Sequence, residues 1–305
     1  MAKQMRKGTE LEESMSLKCE NIVKTYHEKD VLKNICLEIE QGKIYGLIGR
    51  NGAGKTTLLS VMTAQNPATG GRVTYNGMPV WENQKALDHL CFSREISTAP
   101  SFGVSAMKVK EYLRTASIFY PNWDTQMAQQ LIKLFHLDVK KRIAALSKGM
   151  LSMVTIIVAM ASKADITMMD EPVAGLDVVA REQFYRLLLE EYANTGRTFV
   201  ISTHIMEEAA NVFEEVIIIK DGTVIQKENT QELLERSRHI SGSAQEVDAL
   251  CKGLTVYRET KMGRRKEVTV VMEKGQELAG GYDVTIQPVS LQELFLALCG
   301  EGAVE

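Results

Sequence analysis

Residues 49–56 read GRNGAGKT and directly follow the apolar run Ile44 to Ile48. A strand ending in a glycine-rich turn points successive backbone N–H groups inward. The helix after it adds the positive end of its dipole, so a polyphosphate is held with few side chains. Gly49, Gly52 and Gly54 allow the backbone to curl without Cβ clashes, while Asn51 and Ala53 complete the loop. Lys55 can reach the β- and γ-phosphates as a point charge, and the hydroxyl of Thr56, followed by Thr57, stands where it can ligate Mg²⁺. The pattern predicts a helix from Lys55 to Met62. A single such loop occurs, so one chain carries one nucleotide site.

The chain has 305 residues, 45% of them apolar and 25% charged, as in an ordinary globular protein large enough for one domain plus an appendage. Its net charge of -3 carries no global signature of nucleic-acid binding, and no nucleic-acid partner is expected. Five cysteines (Cys19, Cys36, Cys91, Cys251, Cys299) form no CxxC pair and read as reduced cytosolic thiols rather than a disulfide framework or zinc site. Residues 1–16 lack the apolar core of a secretory signal and read as a flexible tail. The most apolar stretch, Met150 to Ala161, contains Ser152 and Thr155 and falls short of the ~20 residues that cross a bilayer.

Leu17 to Ile39 reads as antiparallel strands around the polar turn His27 to Asp30. From Trp81 to Ser147 the pattern turns helical, with helices at Ala106 to Ile118 and, behind an Asp124 cap, at Thr125 to Phe135; Pro121 separates them. Strands and helices then alternate at Ile166 to Met169, Val179 to Tyr192, Thr198 to Ser202, Met206 to Phe213 and Glu215 to Lys220, the texture of a mostly parallel, covered α/β sheet. Beyond about Asn229 the reading is a small α+β unit. It comprises a helix near Gln231 to Glu235, a short strand, a helix Ala244 to Lys252 and a hairpin Leu254 to Val271 turning at Lys261 to Arg265. A last helix starts at Ser290, where Ser290 and Glu293 have capping-box spacing.

Asp170 ends the apolar run ITMM and is followed by Glu171. A carboxylate at a strand tip beside a phosphate loop can hold Mg²⁺, and an adjacent one can orient water for in-line attack on the γ-phosphate. An Asp-Glu pair by itself reads as a solvated loop; the apolar residues upstream reverse that reading.

With these residues in order, the chain resembles the ATP-binding cassette (ABC) ATPases. Leu146, Ser147, Lys148, Gly149 and Met150 look like a variant of that family's LSGGQ signature, Gly175, Leu176 and Asp177 match its D-loop, and His204 in ISTH matches its switch histidine. Tyr26 stands where the family places an aromatic that stacks on adenine, a reading favoured over a plain strand-edge aromatic because the base offers a flat π face to such a ring. His204 at a sheet's carboxyl edge is expected to contact the γ-phosphate, and Ser147 also has the position of a helix cap. The resemblance covers roughly Leu17 to Gln226. It implies a P-loop cassette over 17–228 with a mixed sheet core, an antiparallel β subdomain and a helical subdomain at about 81–150, and a C-terminal accessory α+β domain over 229–305. It further implies ATP and Mg²⁺ as ligands, with Glu171, His204 and Lys55 as catalytic groups and Thr56 and Asp170 at the metal. Two copies, or one copy and a related cassette, would clamp ATP between them, the signature of one completing the site of the other.

Two positions depart from the family pattern. Where it has a glutamine near the metal, this chain has Ser93, Arg94 and Glu95; Glu95 is the positional match and a metal candidate, with Arg94 an alternative contact to phosphate. The signature lacks its first glycine and its glutamine, which are Lys148 and Met150 here. FYPNWD, LSKGM and the ending PVSLQELFLALCG resemble the separate-chain ATPase subunits of bacterial exporters of drugs, antimicrobial peptides and peptide toxins. Such a subunit would sit on the cytoplasmic face of the membrane, its integral membrane permease docking by a coupling helix near Glu95 to Met107, where Phe102 and Val104 offer apolar contact; the two read equally well as simple core residues of the insertion. Lys261, Arg264, Arg265 and Lys266 read either as a solvated hairpin turn or as a patch for anionic lipid. The alternatives are a non-transport cassette acting on ribosomes or DNA, for which a second cassette or a coiled coil is missing, and a regulatory nucleotide-gated dimer, which would more naturally lack Glu171 or His204.

Overall fold

A computed structural model of the chain describes residues 15–99, 103–206 and 210–300. Phe102, most of the N-terminal tail and the middle of the helix expected over Met206 to Phe213 lie outside the described residues. β1 (Ser16–Tyr26) and β2 (Lys29–Glu40) pair antiparallel about a two-residue turn. His27 and Glu28 both have positive φ there, the hairpin geometry whose twist matches that of its strands. β3 (Ile44–Ile48) follows, wholly buried, and α1 (Lys55–Met62) begins with the expected bounds. β4 (Gly70–Tyr75) and β5 (Met78–Pro79), neither of them anticipated, complete a four-stranded antiparallel sheet in the order β2-β1-β4-β5.

A second, six-stranded sheet carries the site. After α2 (Gln84–Leu87) come β6 (Leu90–Ser93), the helices α3 (Val109–Phe119), α4 (Thr125–Leu134) and α5 (Lys148–Ala161), then β7 (Ile166–Asp170), α6 (Val178–Thr195), β8 (Thr198–Thr203), β9 (Glu215–Lys220) and β10 (Thr223–Asn229). The order is β10-β9-β3-β8-β7-β6, parallel from β9 to β6 with β10 antiparallel on the edge. β6 corrects the reading of 81–147 as helical throughout. Four buried residues are too short a run for periodicity to separate strand from helix. Asp124 caps α4, accepting from the Met127 amide at 2.8 Å as the sequence predicted.

Beyond β10 lie α7 (Thr230–Glu235), β11 (Ser237–Ser243), α8 (Ala244–Leu250), the hairpin β12 (Val256–Met262) and β13 (Arg265–Val271), then β14 (Val284–Pro288) and α9 (Leu291–Cys299). The strands form an antiparallel sheet, β12-β13-β11-β14, with Val247 and Leu250 of α8 packed on Ile240, Val268 and Val270. In the basic hairpin Lys266 is ion-paired with Asp248 at 2.6 Å and Glu259 at 2.7 Å, so the cluster presents less charge than its composition suggests.

α9 returns to the cassette. Leu291, Leu294, Phe295 and Leu298 share one buried cluster with Ile44 and Ile48 of β3 and with Phe213. Ser290 caps this helix by accepting from the Glu293 amide at 3.2 Å, while the Glu293 carboxylate accepts from the Ser290 amide at 2.7 Å. Replacing Ser290 with alanine is expected to cost about 1 kcal/mol. A melting temperature lowered by roughly 2–4 °C would follow for a domain of this size. Thermal unfolding checks it, and an unshifted midpoint would mean that packing alone fixes the helix start.

Candidate nucleotide site

The strand order β3-β8-β7-β6 brings four loops to the carboxyl edge of one sheet, where ligands of open α/β sheets bind. Parallel register places Ile48 beside Thr203, Asp170 beside Ser202 and Ser93 beside Met169. The phosphate loop, the Asp170–Glu171 tip, the His204 tip and the segment carrying Glu95 thus become neighbours.

Within the loop, Gly54 has φ +110 and a Cβ there would lie 2.9 Å from Leu32 Cδ2, so the turn into α1 requires glycine. Lys55 is buried, its ammonium donating to the carbonyls of Gly49 (2.7 Å) and Arg50 (3.4 Å) and standing 3.8 Å from Glu171 Oε1. Thr56 is exposed and donates to Asp170 Oδ2 at 2.6 Å; Ser202 donates to Asp170 Oδ1 at 2.5 Å. Glu171 has φ 50, uncommon for a residue with a side chain, and its amide is held by Ser202 Oγ (3.0 Å) and the Ser202 carbonyl (3.1 Å). Its carboxylate meets His204 Nδ1 at 2.7 Å.

Sequence reading missed Ser202. Only the β7–β8 register, which no local motif announces, makes it the residue that holds the Asp170 carboxylate and the Glu171 backbone amide together.

The signature residues gather at the start of α5. Ser147 caps that helix through the Met150 amide at 3.3 Å, and a Cβ at Gly149 would lie 2.5 Å from the Gly175 carbonyl, so signature and D-loop touch backbone to backbone. Ser152 donates to the Ala174 carbonyl at 2.6 Å. Asp177 caps α6 through the Ala180 amide at 2.8 Å. Ser93 turns inward and donates to the Thr155 carbonyl, while Glu95 is exposed and paired with Lys148 at 3.9 Å. Tyr26 is half-exposed at the hairpin end, with the Lys24 ammonium 4.7 Å from its ring centre. The same hairpin packs Leu32 and the Val31 carbonyl against Gly54.

Comparison with known proteins supplies the family. Residues 32–174 match the family described as ABC transporter. The chain is 31% identical over 192 residues to the putative ABC transporter ATP-binding protein AlbC of Bacillus subtilis, covering 61% of this chain and 80% of that protein. This chain belongs to the ABC transporter ATP-binding proteins. It is 29% identical over 229 residues to the bacitracin transport ATP-binding protein BcrA of Enterococcus faecalis, covering 73% of this chain and 72% of BcrA. A solved ATP-binding subunit of an ABC transporter shares the fold at TM-score 0.63 and 23% identity, over 72% of this chain and 92% of that one. As a member of the family, the protein is an ABC-type ATPase that couples ATP hydrolysis to transport, and it serves as the ATP-binding subunit of its transporter. Among the described residues no helix is long and apolar enough to cross a membrane.

The residues fit a magnesium nucleotide. A Cβ at Gly52 would meet nothing within 4 Å, so the loop has room on that side, and the buried Lys55 ammonium, bonded to backbone carbonyls, has the Glu171 carboxylate at 3.8 Å as its counter-charge among the described residues. Thr56 and Asp170 offer one hydroxyl and one carboxylate within hydrogen-bond distance of each other, the sparse hard-oxygen set that suits Mg²⁺ completed by phosphate and water.

Proposed function

We propose that this ABC ATPase powers a bacterial exporter of a peptide or drug-like substrate, working as a pair of cassettes on the cytoplasmic face of the membrane beneath a separate permease subunit. The contact chain Thr56–Asp170–Ser202–Glu171–His204, closed on the phosphate side by Lys55, carries the reading. In it Thr56 and Asp170 would hold Mg²⁺, which would supply charge neutralisation to the nucleotide's phosphates. Glu171 accepts the proton of the attacking water, His204 orients Glu171 and faces the γ-phosphate, and Tyr26 stacks on adenine. Ser147, Gly149 and Asp177 face the nucleotide of the second cassette. ATP therefore binds the closed pair far better than the open one, and cleavage reopens it.

Two further observations support transport through a separate subunit. BcrA, a bacitracin transport protein, is among the relatives, and a cleft of about 800 Å³ lined by Thr63, Leu87, Phe92, Glu95, Val104 and Phe119 suits a coupling helix. The contact between Glu171 and His204 favours a hydrolysing cassette over a regulatory one.

The test co-expresses the chain with a candidate permease subunit and follows bacitracin and other peptides in inverted vesicles. ATP-driven uptake that Lys55→Ala abolishes is the expected result. Uptake confined to right-side-out vesicles would reverse the direction and defeat the exporter reading.

A further inference from the structure

The two departures from the family pattern meet each other in space. Glu95, at the glutamine's position, and Lys148, at the signature's missing glycine, form an ion pair at 3.9 Å. We propose that Glu95 and Lys148 act as one positioning unit, fastening the loop after β6 to the start of α5 and to the Gly175 turn. The inference rests on the ATPase reading above and concerns how its parts are tied together.

A lysine in the first turn of a helix faces the positive end of the dipole, so position 148 is electrostatically adverse unless an anion stands nearby. Glu95 supplies that anion. The lysine stem is pinned as well, since a Cβ at Gly175 would lie 2.8 Å from Lys148 Cγ and 3.0 Å from Lys148 Cβ. Its ammonium thus reaches across to one loop while its methylenes rest on another.

Glu95 and Lys148 also line one small cavity with Asp170 and Glu171. Without Lys148, the Glu95 charge would add a third carboxylate to the edge where phosphate must bind. Glu95 further lines the large cleft beside α3, so displacement of this loop from the cleft side pulls on the signature helix through the pair. Both side chains are solvent-exposed, at 69% for Glu95 and 59% for Lys148. Such a pair contributes little to folding, and its role must be read in turnover.

The experiment measures ATP hydrolysis by the purified full chain, as wild type, Glu95→Gln, Lys148→Gln, both together, and the charge swap Glu95→Lys with Lys148→Glu. Each single variant is expected to lower kcat about fivefold, the scale of one exposed ion pair, with KM for ATP within about twofold. The double variant is expected to match the singles, and the swap to recover at least half of the wild-type rate. Melting temperatures stay unchanged throughout, separating positioning from folding. Multiplicative losses, or a swap no better than the singles, would overturn the unit. A raised KM for Lys148→Gln alone would overturn it too, in favour of direct contact with nucleotide. A wild type that hydrolyses no ATP would instead sink the ATPase reading, and this inference with it.

Discussion

Replacing Glu171 with glutamine is expected to slow ATP turnover by about 10²–10⁴-fold, the usual contribution of a positioned general base. The variant keeps the size of the side chain and a group able to bond His204, and loses only the capacity to take a proton. On the reading proposed above, the surrounding geometry holds this carboxylate in place. The Glu171 amide is tied to Ser202 through both hydroxyl and carbonyl, and the backbone is held at φ 50, a left-handed conformation costing roughly 1–2 kcal/mol for an L-residue. Strain of that size persists where the surroundings over-determine it, here by fixing the carboxylate between His204 Nδ1 at 2.7 Å and the Lys55 ammonium at 3.8 Å. Nucleotide affinity is expected to survive, so ATP should accumulate in a long-lived dimer visible by gel filtration. A rate reduced less than tenfold would remove Glu171 from the role of base.

The largest expected loss of stability comes from Arg197, far from the nucleotide. Its guanidinium is buried and donates to the carbonyls of Ala159, Met160 and Ala164, to the Thr167 hydroxyl at 2.6 Å and to Glu191 at 2.9 Å. It thereby satisfies the last carbonyls of α5 and ties that helix to β7 and α6, the elements that carry the signature, Asp170 and the D-loop. Arg197→Ala would strand several buried acceptors at once. Glu191 keeps Lys163 as a partner at 2.8 and 2.9 Å, so the cost falls at the lower end for a broken buried pair, about 3 kcal/mol. A melting temperature roughly 6–12 °C lower is expected at about 2–4 °C per kcal/mol. A drop under about 2 °C would show that water or rearranged side chains replace the guanidinium at little cost.

Neither Arg197 nor Ser202 was legible in the sequence, whereas Lys55, Thr56, Asp170 and His204 were. The difference is physical. The phosphate loop declares itself because its function needs a local backbone shape, and local shape is written in consecutive residues such as Gly52, Gly54 and Lys55. The bounds of β3, α1 and β9 and the caps Asp124, Ser147 and Ser290 were readable for the same reason: burial period and cap chemistry act within a few residues. β6 was lost because four buried residues carry no period, and β4 and β14 because their partners lie far along the chain.

By itself the sequence determined that a polyphosphate loop, a carboxylate pair at a strand tip and a signature-like helix start would occur in one chain, since each depends on chemistry between near neighbours. Tertiary structure alone decided that they meet. The order β3-β8-β7-β6 sets Ser202 between Asp170 and Glu171, the close approach of Gly149 to Gly175 joins signature to D-loop, and α9 folds back onto the cassette core. Strand order and long-range packing follow from the burial of whole faces against one another, a balance summed over the entire chain that no short segment records.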